Sequence, residues 1–133
     1  LLLIDIDTVI VRPLDVIWDQ AFDVAYTRRA DDRPAGPPFN SGVLFVRVSP
    51  GVRAFFQAWN RETHRLLANP QAHEPLRRVY TGIHQSALGA MLEAGAAAAV
   101  DLRPIACDEW NCDPAFDRFD ETTRILHVKS GLR

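Results

Sequence analysis

Residues 1–14, LLLIDIDTVIVRPL, decide how the rest of the chain is read. An apolar run stops at two aspartates, Asp5 and Asp7, one residue apart. Leu1 to Ile6 is apolar without alternation, which predicts a strand covered on both faces, as at the centre of an α/β sheet. Thr8 to Val11 is β-branched and extends that strand until Pro13 breaks it. Residues i and i+2 of an extended chain share a face, so both carboxylates point to one side, at the strand end where α/β sheets bind ligands. Desolvating a carboxylate is costly without a cation or donors to compensate it, and two like charges this close repel. A divalent cation keeps both ionised. The alternative is a pair of loop aspartates capping local N–H groups.

Outward from this stretch, LDVIWD predicts a helical turn and Phe22 to Thr27 a second strand. Residues 28–39, RRADDRPAGPPF, carry charge, proline and glycine without periodicity and predict an exposed loop. Val43 to Val48 is the clearest strand pattern. Ser49 followed by Pro50 predicts a helix start, a hydroxyl cap before a proline whose missing N–H costs nothing at the first position. Val52, Phe55, Phe56, Trp59 and Leu66 then recur at helical spacing, predicting a helix packed on the sheet. ANPQAHEPLRRVYTG is expected to be a second loop. A helix from about His84 to Gly95 buries Leu88, Met91 and Leu92. A short strand near Ala99 to Leu102, an irregular RPIACDEWNCDPAFDRF and a last strand RILHVK follow. Together these predict a mostly parallel sheet with an antiparallel addition.

The 133 residues suffice for one domain with a real core. Their 47% hydrophobic and 24% charged composition and net charge of -2 give no basic excess to suggest nucleic acid. No apolar stretch approaches the length of a membrane span, and LLLI lacks the flanks of a signal peptide. The expectation is a cytoplasmic domain, with any leader or anchor preceding a chain that opens inside a strand and without methionine. Cys107 and Cys112 have neither a disulfide framework nor zinc-knuckle spacing and are expected to be unpaired thiols.

The string LLLIDIDTVIVRPLDVIW resembles the Asp-x-Asp region of GT-A glycosyltransferases, particularly the glycogenin-like and related retaining families. The likeness continues in order. PFNSGVLFVRVSPGVRAFFQAW is similar to the family's Asn-Ser-Gly strand and following helix, and TGIHQSALGAML to its Gly-Asp-Gln helix start. DEWNCD resembles a family loop ending in asparagine, and ILHVKSGLR its terminal histidine- and lysine-bearing turn. The resemblance implies an α/β GT-A fold, a Rossmann-like mixed sheet flanked by helices. Residues 1–133 would form a single domain, the C-terminal portion of a larger one. The implied activity is metal-dependent transfer of a hexose from a nucleotide-diphosphate sugar, a UDP-like donor, to the hydroxyl of a glycan, protein or small molecule, with retention of configuration.

The same resemblance implies the site. Asp5, Asp7 and His127 would hold the metal, Asp5 also touching the nucleotide. Two carboxylates and an imidazole are a softer set than an all-oxygen magnesium site, which favours Mn2+ with Mg2+ possible. Asn40, Ser41 and Gly42 would meet the donor, Gly42 by letting the backbone approach closely. Lys129 and Gly131, with Arg133, would form a cationic turn for the diphosphate. His84 and Gln85 would bind the donor sugar, His84 standing where relatives commonly carry an aspartate, and Asp7 and Gln85 are the expected catalytic residues. Trp110 and Asn111 would shape the acceptor side, the indole stacking on a sugar face.

Two alternatives remain. LLLIDIDTVI also fits the first motif of haloacid dehalogenase-like phosphatases, with Asp5 as nucleophile and Asp7 as general acid. Its later lysine and acidic pair are missing in that order: Lys129 is the only lysine, and Asp31 and Asp32 precede it. The other alternative is a non-catalytic domain that binds a nucleotide sugar.

Overall fold

The computed structural model describes residues 1–30, 36–96 and 99–128. The strands are β1 (Leu2–Ile4), β2 (Thr8–Ile10), β3 (Val24–Arg28), β4 (Phe39–Val46), β5 (Leu102–Ala106) and β6 (Ile125–His127). The helices are α1 (Pro50–Ala68), α2 (Pro70–Arg77), α3 (Ile83–Glu93) and α4 (Cys107–Trp110), with one 3-10 turn at Asp15–Asp19. The four-stranded sheet has the order β1-β4-β3-β5, and β2 pairs with β6 in a separate antiparallel ribbon. The architecture is α/β, a mixed sheet flanked by helices.

Alternation along β4 sends side chains to two cores. Leu44 and Val46, with Val24, pack against Val52 and Phe55 of α1 and Leu88 and Met91 of α3. Val43 and Phe45, with Ala25, face Ile17, Trp110 and Ile125 on the opposite side. Helix α1 begins as expected: Ser49 Oγ accepts from Val52 N at 3.2 Å, ahead of Pro50.

Several expectations are corrected. Strand β1 is an edge rather than a central strand among the described residues, with Leu3 39% and Ile4 41% exposed. Thr8 to Ile10 does not extend it, because the chain turns at Ile6 and Asp7 and enters the β2/β6 ribbon. The sheet is not mostly parallel: β1/β4 and β3/β4 are antiparallel and only β3/β5 is parallel. The expected loop after α1 contains α2, because Asn69 accepts from Ala72 N at 3.1 Å and Pro70 sits where no N–H is needed. Strand β5 starts at Leu102, later than expected, and holds Pro104, which an edge strand tolerates. The stretch after it, expected to be irregular, includes α4.

An ion pair invisible to sequence patterning ties the end of β3 to the segment after α4. Arg29 Nε donates to Asp117 Oδ1 at 2.8 Å and its Nη2 to Oδ2 at 3.1 Å, with both side chains buried. Arg29 Nη1 also donates to Pro37 O at 2.7 Å, and Asp117 Oδ2 accepts from Asp113 N at 3.0 Å. Asp117→Ala leaves a guanidinium buried without its counter-ion, so an unfolding free-energy loss of about 3–5 kcal/mol is expected by urea titration. A loss below about 1 kcal/mol, the range of a surface pair, would contradict this role.

Candidate metal centre

The centre is built where the two β layers meet. The β1/β4 ladder closes with Asp5 N donating to Gly42 O at 2.8 Å, and the β2/β6 ribbon ends with Val128 N donating to Asp7 O at 2.8 Å. Between these bonds the chain turns, so Asp5 and Asp7 approach one point from the ends of different strands. Thr8 Oγ1 donates to Asp5 O at 2.7 Å and braces the turn. Thr8 is in register with His127 across the ribbon, which brings the imidazole to the same point.

His127 Nε2 lies 3.1 Å from Asp7 Oδ1 and 3.8 Å from Asp5 Oδ2. One ligand atom from each of Asp5, Asp7 and His127 lies within 4.8 Å of the others. The imidazole is 1% exposed, while the Asp5 and Asp7 side chains are 58% and 45% exposed, so the cluster has a fixed floor and an open mouth. Nε2 and the carboxylate oxygens bring a nitrogen lone pair and two negative charges to one point, an arrangement that a cation between them stabilises. Gly42 makes the approach possible: a Cβ there would lie 2.6 Å from Asp5 Oδ2 and 2.7 Å from His127 Cε1. The β4 register shift opposite Tyr26 and Thr27 places Gly42 there, leaving Ser41 to Val43 without partners on β3. The donor set and this glycine-lined cradle fit a divalent cation.

Behind the imidazole stands a buried chain of hydrogen bonds. His127 Nδ1 is 2.8 Å from Asn111 Oδ1, Asn111 Nδ2 donates to Thr27 Oγ1 at 2.9 Å, and Thr27 Oγ1 donates to Asn40 O at 2.7 Å. Asn111 is therefore not at an acceptor surface as expected; it is fully buried behind the histidine. Trp110 is likewise displaced from the predicted role. It is 3% exposed and packed edge-on to Phe45, with the Arg124 guanidinium over its ring, so no face is left for a sugar. Sequence reasoning missed Thr27, because nothing local links it to a partner 84 residues away.

The other expected residues line cavities beside the cluster. A cavity of about 970 Å³ runs from Asp5 past Asn40, Ser41, His84 and Gln85 to Arg77 and Arg78. A smaller one, about 370 Å³, is lined by Asp5, Ser41, Gly42 and His84 together with Phe56 and Trp59, whose Nε1 donates to His84 O at 2.8 Å. Asn40 Oδ1 accepts from Gly42 N at 2.8 Å, while its buried Nδ2 has no partner among the described residues. Gln85 sits in the first turn of α3, behind Gly82 at φ 84°, and its Nε2 donates to Phe39 O at 2.8 Å, tying the helix to β4. His84 is exposed at both cavities. Lys129, Gly131 and Arg133 lie outside the described residues.

Cys107 and Cys112 are free and buried, as expected of unpaired thiols. Burial, then the nearby Asp117 charge, pushes Cys107 up to about 12 and Cys112 up to about 11. Both stay protonated near neutral pH and do not join the cluster as thiolates.

Comparison with family models, with curated proteins and with solved structures gives no match to this chain. Among the described residues, no helix is long and apolar enough to cross a membrane.

Two outcomes follow from this geometry. Gly42→Ala forces Asp5 and His127 apart, and Mn2+ affinity measured by calorimetry is expected to fall about tenfold or more; unchanged affinity would contradict the cradle. Both thiols are expected to resist a disulfide reagent at pH 8 in the native protein and to react once it is denatured. Unfolded thiols ionise near about 8.5, so stability falls as pH rises past that value and continues to fall until the native thiols ionise.

Proposed function

We propose that this chain is a metal-dependent nucleotide-sugar glycosyltransferase domain of the GT-A type, moving a hexose from a UDP-like donor to an acceptor hydroxyl. The observation that carries the proposal is the convergence of Asp5, Asp7 and His127, whose ligand atoms lie within 4.8 Å of one another, with Asp5 also lining a large cavity. These three residues would hold Mn2+, with Mg2+ as a harder substitute. Bound there, the cation supplies Lewis-acid stabilisation of the charge that gathers on a departing diphosphate.

The chain's own groups divide the remaining work. Asp5 and Asp7 supply the negative charge that attracts the cation, and the buried imidazole fixes where it sits. The unpartnered Asn40 Nδ2 offers a donor to a sugar hydroxyl or ring oxygen along the cavity. Ser41 and His84 stand beside it with further polar groups. Gln85, its amide nitrogen already held by Phe39 O, contributes the position of the α3 N-terminus in this proposal. The imidazole is what favours this proposal over a phosphatase. It adds a nitrogen ligand to the two carboxylates, Nε2 standing 3.1 Å from Asp7 Oδ1 and 3.8 Å from Asp5 Oδ2, which the aspartyl-nucleophile reading does not use.

Calorimetric titration with Mn2+ and nucleoside diphosphates tests the proposal. Mn2+-dependent UDP binding is expected, lost in Asp7→Asn and weakened about ten- to a hundredfold in His127→Ala. UDP binding indifferent to metal, or hydrolysis of small phosphoesters lost in Asp5→Asn, would overturn it. Binding of UDP-hexose with Mn2+ but no transfer or hydrolysis of the sugar would identify a non-catalytic binding domain.

A further inference from the structure

We propose that Asn111 and Thr27 are positioning residues that fix which ring nitrogen of His127 carries the proton, keeping Nε2 bare toward Asp5 and Asp7. The inference rests on the metal reading of that cluster and deepens it.

Thr27 has a single hydroxyl hydrogen, and Asn40 O, 2.7 Å away, is an acceptor only, whereas the Cys107 thiol that also hydrogen-bonds Thr27 carries its own hydrogen; the hydroxyl hydrogen is therefore committed to Asn40 O. The Thr27 oxygen can then only accept from Asn111, 2.9 Å away, so Asn111 must turn its NH2 toward Thr27. Its carbonyl oxygen therefore faces His127 Nδ1 at 2.8 Å and needs a hydrogen there. The proton of a neutral ring sits on Nδ1, and the lone pair sits on Nε2, the nitrogen nearest the carboxylates. Reversing the amide would set its carbonyl against a Thr27 oxygen whose hydrogen is already used, leaving two acceptors face to face out of water's reach. Thr27 and Asn111 are both 0% exposed and His127 is 1% exposed.

The backbone prevents escape by drift. Asn111 N donates to Cys107 O at 2.9 Å, and the next residue brackets β6, Cys112 N donating to Ile125 O at 2.9 Å and His127 N to Cys112 O at 2.8 Å. Thr27 and Asn40 face each other across the β3/β4 ladder. The device spans four segments distant in sequence, and none of its inner members touches the cation position. Asn111 and Thr27 act only through His127.

Nitrogen-15 NMR of histidine-labelled, metal-free protein, at a pH where the ring carries one proton, reads the position of that proton directly. In the wild-type chain the proton is expected on Nδ1 of His127, assigned by the signal lost in His127→Asn. Thr27→Val, nearly isosteric, frees the amide to turn; a shift of the proton toward Nε2 is expected, with Mn2+ affinity about tenfold weaker by calorimetry. Thr27→Ser restores the hydroxyl and is expected to restore both readings. A purely structural Thr27 would lower stability without moving the ring proton. The proposal is overturned if the wild-type ring carries its proton on Nε2, or if Thr27→Val changes neither readout. Absence of Mn2+ binding in the wild-type chain would overturn the proposed function instead, leaving the wild-type proton position to decide this inference.

Discussion

The turn at Ile6 is held by two backbone bonds, Asp5 N to Gly42 O and Val128 N to Asp7 O, and the site depends on both. The first bond ends the four-stranded sheet and the second belongs to the two-stranded ribbon, so one short segment joins two β layers. That segment carries two carboxylates. If either bond were lost, Asp5 or Asp7 would swing into solvent, where they have ample room. With both formed, the carboxylates share a buried imidazole whose orientation is set from behind. Gly42 serves both sides of this constraint, offering its carbonyl to Asp5 and, through its missing Cβ, space to the carboxylate and the ring.

The polar groups around this point fall into two kinds. Asp5 and Asp7 keep bonding capacity directed at solvent, and the buried Asn40 Nδ2 keeps an unused donor. Thr27, Asn111 and the Arg29–Asp117 pair spend theirs inward, where burial makes an unmade bond costly. The division is physically economical. Exposed carboxylates can stay charged in the absence of a ligand because water solvates them, while the group that must aim, the imidazole, is the one the fold immobilises. Phe116 beneath Arg29 and the 36–38 segment extend that rigid part to the wall of the large cavity.

Much of the site was legible in the sequence, for reasons that differ by residue. Asp5 and Asp7 announced themselves as charges at the end of an apolar run, although the expected extended chain is a turn, and the same-side placement arises from two strand ends. His127 could be tied to them only through the family resemblance, since no local pattern pairs residues 120 positions apart. Trp110 and Asn111 were misplaced for a related reason: motif order says that residues are near a site but not whether they face it or stand behind it. For the fold, Ser49-Pro50 and the apolar spacing of α1 were read directly. Helix α2 was hidden because Pro70 and Pro75 look like breakers, and only the Asn69 cap shows why a helix starts there. The apolarity of β1 was read as burial, yet it signals only that covering would be favourable; among the described residues one side of the strand is unpaired.

Anomalous diffraction from a crystal of this chain soaked in Mn2+ tests the central claim most directly. The account predicts a single strong peak within about 2.0–2.4 Å of one oxygen from each of Asp5 and Asp7 and of Nε2 of His127. Such a crystal without a peak at that point, or with the metal held by residues other than these three, would contradict it.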